Sequence, residues 1–183
     1  MNQPSPLLLR IIRGIDTFTE WTGKAVAWLI LPLAVGLAYE VIARYGFDAP
    51  TIWAYDMSYM LYGTLFMLGA HYALLRGAHI RTDMLWEKFS DRKKGLIDAI
   101  AYLGFFFPAM IMIFASSIDE AWHAWLIGER SEQTAWRPIL YPFKAVVPAT
   151  ALLLFIQGIS EFLKSLYAAR TGRMLDVKEK IEV

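Results

Sequence analysis

Long apolar runs alternate along this chain with short segments where charged residues crowd together. Residues 25–39, 57–75, 99–118 and 145–160 contain no Asp, Glu, Lys or Arg. With the helix ends that carry one charge included, each run can cross about 30 Å of hydrocarbon at about 1.5 Å per residue. The pattern therefore predicts membrane helices over 25–44, 54–76, 95–120 and 142–164, within one all-α, four-span membrane domain. Residues 1–24 read differently. Placed on a wheel at about 100° per residue, Leu7, Leu8, Ile11, Ile12, Ile15 and Phe18 gather on one side, and Arg10, Arg13, Asp16, Thr17 and Glu20 on the other. Such a helix lies along the membrane surface with its apolar face in the headgroup boundary, or packs on a partner helix.

The connection after the second run has the same amphipathic character. Thr82 can cap a short interfacial helix over 78–90, with Leu85, Trp86 and Phe89 on one face and Asp83, Glu87, Lys88 and Asp91 on another. Ser90 followed by Asp91 marks the start of the next membrane helix. The segment 119–144 mixes Trp122, Trp125, Trp136 and Tyr141 with Glu129, Arg130, Glu132 and Arg137, as expected of a chain lying at the membrane boundary. Residues 165–183 form a short charged tail.

Charge fixes an orientation, because Lys and Arg near helix ends resist translocation. Arg10, Arg13 and Lys24 precede the first span, six basic residues lie between Arg76 and Lys94, and five follow from Lys164. The other two connections hold only Arg44 and the trio Arg130, Arg137 and Lys144. Fourteen of the 18 basic residues thus fall on one side, which places both termini in the cytoplasm. The first span then reads as a retained anchor. Composition agrees, since 57% of the 183 residues are hydrophobic and no room remains for a separate soluble domain. Zero cysteines exclude disulfides and thiolate chemistry, and a net charge of +1 argues against nucleic-acid binding.

Few residues are candidates for chemistry. An ionisable group inside a span costs about 2.5–3.5 kcal/mol at the helix centre, so each one needs a partner. Glu40 and Arg44 stand four apart, where they can pair on one helix face. Asp56 opens the second membrane helix, where a carboxylate complements the helix dipole. His71 could relay a proton or ligate haem, but a second haem ligand is badly placed: His79 lies in the connector and His123 near the other side. An interhelical hydrogen bond is the simpler role for His71, and Gln157 and Ser160 suit the same role in the last span. Pro108, Pro142 and Pro148 should bend or interrupt their helices. There is no GxSxG elbow, no HExxH pair and no phosphate-binding Gly-rich loop, so no enzyme is read here and no cofactor is expected. Broken helices with midplane carboxylates, the usual site of a self-sufficient transporter, are also missing from the pattern.

The sequence resembles the small membrane subunit, often called the Q subunit, of tripartite ATP-independent periplasmic (TRAP) transporters. The resemblance rests on Gly77-Ala-His-Ile-Arg-Thr-Asp83, Leu85 and Ser90-Asp-Arg92. It continues through Gly128-Glu-Arg-Ser131, Trp136-Arg-Pro138, Tyr141-Pro-Phe-Lys144 and Pro148 to the run from Leu152 through Gln157 to Glu161. It implies an inner-membrane protein that pairs with a larger membrane subunit carrying the substrate and ion sites. A periplasmic solute-binding protein delivers the solute, usually a carboxylate-bearing organic anion, and an ion gradient, generally sodium, drives uptake. The small subunit would brace the large one and help receive the binding protein. His79, Arg81 and Asp83 are then expected to fix the bend after the second span. Glu129, Arg130, Glu132, Arg137 and Lys144 are expected on the face that meets a partner, or else in a solvated loop with boundary anchors. The competing expectations are a membrane anchor of an electron-transfer complex, which would carry haem, and a small self-sufficient transporter.

Overall fold

A computed structural model describes residues 4–77 and 89–175. Among these residues seven α-helices follow one another: α1 (Pro6–Ala27), α2 (Ile30–Phe47), α3 (Ala54–Leu75), α4 (Asp91–Ala101), α5 (Phe107–Leu126), α6 (Tyr141–Lys144) and α7 (Val146–Thr171). A π-helical turn, Tyr102–Phe106, links α4 to α5. No strand occurs among the described residues beyond a single antiparallel bridge between Arg130 and Ile139. The expected helix over 78–90 lies outside the described residues.

Three prolines explain three interruptions. A helical proline lacks an N–H and crowds the carbonyl four residues earlier, so the helix distorts one turn upstream. Pro32 follows the break at Trp28 and Leu29, where the N–H groups of both residues turn back to the carbonyls three residues before them (3.3 and 3.0 Å). Pro148 follows the turn at Ala145 that separates α6 from α7. Pro108 follows the π turn, in which the Phe107 N–H reaches the Tyr102 carbonyl, five residues back. At its start, α1 has Ser5 in place, whose Oγ accepts the Leu8 N–H (3.2 Å), with Pro6 as the first helical residue.

By length and composition, Pro6–Gly46, Asp91–Leu126 and Tyr141–Thr171 can each cross a membrane. Helix α3 has the length, but Asp56, Ser58, Thr64, His71 and four tyrosines dilute its apolarity, so it is not among the three. The most apolar window of Tyr141–Thr171 is 39% buried, against 6% in each of the other two. In those two windows nearly every residue keeps part of its surface exposed.

The chain divides into two compact units. The first comprises Met1–Thr22, His71–Met112 and Ala151–Val183; the second comprises Gly23–Ala70 and Ile113–Thr150. In the first, α7 is the centre. Its Gln157, Ser160 and Ala168 are buried, as are Ile12 and Thr19 of α1 and Ala99 of α4. The Phe107 ring packs on Phe155 and Phe162, with centroids 5.1 and 5.8 Å away. Gly95 lets the α4 backbone press against α7, because a Cβ there would stand 2.6 Å from both the Ala169 nitrogen and the Ser165 carbonyl oxygen. Small residues serve close helix approach in just this way. In the second unit, Leu33, Gly36 and Ala43 of α2 are buried, with Ala54 and Asp56 of α3 and Ala121 and Ala124 of α5. The Phe143 ring lies over Gly63 and tilts against Tyr59 at 5.0 Å.

Gly95→Ala should lower the melting temperature of the purified subunit by several degrees, since backbone rather than a movable side chain blocks the new methyl. Gly14→Ala, where nothing lies within 4 Å, should leave it unchanged or raise it, alanine being the better helix former by about 1 kcal/mol. Equal effects at the two positions, read by thermal unfolding in mild detergent, would contradict this packing.

Candidate functional site

In the first unit, polar chemistry concentrates where α1 meets α7. Asp16 Oδ1 accepts hydrogen bonds from Ser160 Oγ (2.7 Å) and Gln157 Nε2 (3.2 Å), and Oδ2 accepts one from Lys164 Nζ (2.6 Å). Lys164 Nζ also donates to Glu161 Oε1 (3.1 Å), and the Gln157 amide reaches the same oxygen (3.2 Å). Gln157 and Ser160 are wholly inaccessible, and Glu161 and Lys164 are nearly so. This corrects the expectation for α1: Asp16 does not face water with Arg10 and Arg13. Instead Ile12, Asp16 and Thr19, spaced four and three apart, form the face that packs inward, while Leu7, Ile11 and Phe18 stay exposed. A signal was present in α7, where Gln157, Ser160, Glu161 and Lys164 trace one polar stripe at helical spacing inside an apolar helix.

His71 is buried with its Nε2 2.8 Å from Thr22 Oγ1, one hydrogen bond whose direction follows the ring's tautomer. Thr22 Oγ1 also lies 2.8 Å from the Phe18 carbonyl. One turn on from Tyr72, Arg76 sits over the Tyr72 ring at 5.1 Å, donates to its hydroxyl (3.0 Å) and reaches Glu20 (3.4 Å). His79, Arg81 and Asp83 lie outside the described residues.

The second unit holds three polar clusters. Glu40 accepts from Arg44 Nε (2.8 Å) through one carboxylate oxygen, and from the Thr51 N–H (3.0 Å) and hydroxyl through the other. The helical ion pair expected for Glu40 and Arg44 is thus also a tie to the α2–α3 loop, where Thr51 Oγ1 accepts the Ala54 N–H at the start of α3 (3.3 Å). Asp56 is 1% exposed. Ser131 Oγ donates to its Oδ1 (2.6 Å) and the Thr134 hydroxyl to its Oδ2. Those hydroxyls in turn accept the N–H groups of Gln133 (3.2 Å) and Trp136 (3.3 Å). One carboxylate thereby organises the loop after α5. The sequence offered only its position in the first turn of α3, because its partners lie 75 and 78 residues away.

Lys144 anchors the base of that loop, with its Nζ 3.0 Å from Glu120 Oε1 and 2.9 Å from Glu129 Oε2. Gly128, at φ +60°, ends α5, and the Glu129 N–H then donates to the Ala124 carbonyl (2.9 Å). Glu132 and Arg137 approach to 3.9 Å at the exposed rim, and Arg130 Nη1 donates to the Arg137 carbonyl (3.2 Å). Structure therefore gathers Glu129 and Lys144 into one cluster and leaves Glu132 and Arg137 as a loose surface pair. A recess of about 380 Å³ opens beside them, lined in part by Tyr55, Tyr59, Phe143 and Lys144.

These clusters bind helices and loop together. Among the described residues, no group of three or more His, Asp or Glu side chains is placed to hold a metal ion. Each carboxylate described above is engaged by hydroxyls, amides or cations of its own unit.

A family model described as "Tripartite ATP-independent periplasmic transporters, DctQ component" matches residues 33–168. No curated protein and no solved structure matches the chain.

Asp56→Ala should strip the buried Ser131 hydroxyl and the half-buried Thr134 hydroxyl of their acceptor at a cost of about 1–3 kcal/mol. Hydrogen exchange at the Gln133 and Trp136 amides should then accelerate at least tenfold, while amides in α7 keep their rates. Unchanged protection in residues 129–140 would show that the loop is held by something else.

Proposed function

The chain belongs to the DctQ component family of tripartite ATP-independent periplasmic transporters, and on that premise we propose that it braces the large transport subunit in the bilayer and helps receive the solute-binding protein. As a small membrane subunit of such a transporter, it is an inner-membrane protein. In the proposed assembly the large subunit carries the solute and ion sites, and the binding protein delivers an organic anion whose uptake is driven by an ion gradient, generally sodium. This subunit contributes no chemistry of its own.

The observation that carries the reading is the division of surface. Polar groups are consumed internally by the Asp16, Glu40, Asp56 and Lys144 clusters. The most apolar windows of Pro6–Gly46 and Asp91–Leu126 are only 6% buried, so side chains such as Trp28, Val35, Leu103 and Phe105 stay exposed. Such a surface suits lipid and a hydrophobic partner, and a subunit of this kind widens a scaffold without adding a pathway. Four spans with both termini in the cytoplasm remain the proposed topology. Helix α3 can cross with the other three because its least membrane-compatible side chains, Asp56 and His71, are each 1% exposed and so need no accommodation by lipid. The basic-residue bias supplies the orientation. Residues 129–137 and the recess beside Lys144 then face the periplasm, where the binding protein docks.

Purification of the tagged chain from its native membrane in mild detergent tests this assignment. A large polytopic membrane protein should co-purify in near-equal amount, with a soluble binding protein at lower yield. Recovery of the chain alone, or with a partner showing haem absorption, would overturn it.

A further inference from the structure

We infer that the groove between α2 and α3 is a binding site for a single phospholipid, with its phosphodiester at Arg44 and one acyl chain running toward Leu33. The groove encloses about 470 Å³. Its α2 wall is Leu33, Leu37, Glu40 and Arg44, one helical face at steps of four, three and four. Opposite them on α3 stand Tyr55, Tyr59 and Tyr62. Because α2 and α3 are joined through the short loop at 48–53, Arg44 shares the loop end with Tyr55, and Leu33 lies farther along with Tyr62. On the α2 wall polarity therefore falls along the groove, from Arg44 and Glu40 to Leu37 and Leu33, while the α3 wall carries tyrosines along its length.

That gradient has the length of a lipid leaflet. Leu33 and Arg44 are eleven residues apart, or about 16 Å along the helix, and half of a hydrocarbon core of about 30 Å is about 15 Å. A phospholipid matches that order, with its phosphodiester at the interface and acyl carbon below it over about 15 Å. The loop end also offers unspent donors. Arg44 gives its Nε and Nη2 to Glu40 but its Nη1 makes no bond among the described residues, and its side chain is 51% exposed. The Tyr55 and Tyr59 hydroxyls make none either among the described residues, and both rings are exposed. Glu40, whose two oxygens accept from Arg44 and Thr51, fixes the guanidinium in place and offsets part of its charge, so the phosphodiester is held chiefly through the Nη1 edge of Arg44. Charge-assisted bonds from arginine suit phosphate for geometric reasons as well as electrostatic ones.

The site rests on the chain's being embedded in a bilayer and not on which solute or binding protein it serves. Native mass spectrometry of the delipidated full chain, titrated with dioleoyl phosphatidylglycerol, phosphatidylethanolamine or dioleoylglycerol, tests it. One tightly held phospholipid adduct is expected with either phospholipid and none with the diacylglycerol, which lacks the phosphate. Arg44→Gln should weaken retention about tenfold or more, as expected for loss of a charged hydrogen bond. Leu37→Trp, which fills the apolar half and leaves Arg44 untouched, should abolish the adduct while the variant elutes and melts like wild type. Equal retention by wild type and both variants would show annular lipid only and overturn the assignment. The same adduct should survive in the complex with the large subunit; its loss there would mean that a partner helix, not lipid, occupies the groove. Inorganic phosphate at millimolar concentration should not displace the lipid, and displacement would reduce the site to a surface anion contact.

Discussion

Hydrocarbon offers no hydrogen bonds, so a carboxylate within a membrane protein persists only where the chain itself supplies enough donors to replace water. Asp16 and Asp56 meet that condition in different ways. Asp16 receives a hydroxyl, an amide and an ammonium from a single helix, α7. Asp56 receives two hydroxyls from a loop. In each case the cost of burying the charge turns into geometric specificity, because only one placement of α1 on α7, or of the loop on α3, satisfies every partner. Removal of Lys164 alone would leave Asp16 beside Glu161 with their shared cation gone, the arrangement in which broken buried pairs are most costly.

Where charge does not position the elements, small residues and prolines do. Gly95 sets the approach of α4 to α7, and Gly63 makes room for the Phe143 ring. Pro32, Pro108 and Pro148 each sit one turn after a break in regular α-helix. These devices need no reactive group. The result is a set of internal joints fixed by backbone and ring contacts, with largely unburied apolar windows on Pro6–Gly46 and Asp91–Leu126.

The helical class was legible in the sequence, because runs free of charge act locally; of the prolines read as breaks, Pro108 and Pro148 follow interruptions but Pro142 opens α6, and Pro32 was not read. Helix α3 was read as a span from its charge-free run at 57–75, although its tyrosines, Asp56 and His71 keep it out of the three segments apolar enough by composition to cross a membrane. The side-chain pairings were much less legible. A helical wheel assigns Asp16 to water by its charge, and nothing within α1 reveals the polar stripe on α7, more than 140 residues later, that receives it. Asp56 suffered the same way: its position favours a dipole role, whereas its partners belong to a loop that reads as boundary aromatics and exposed charge. Glu40 and Arg44 were the readable case because four residues on one helix are neighbours by geometry alone; the Thr51 contact across the turn was not readable from spacing.

Assembly, not transport chemistry, is the role proposed for these polar residues. Its most direct test is solute uptake per assembled complex, measured in proteoliposomes that hold the large subunit, the binding protein and either wild-type chain or the Asp16→Asn, Asp56→Asn or Lys144→Met variant. The account predicts that the amount of assembled complex falls while turnover per assembled complex stays at the wild-type value. A variant that assembles fully but no longer supports uptake would contradict it, and would place that residue in the transport cycle itself.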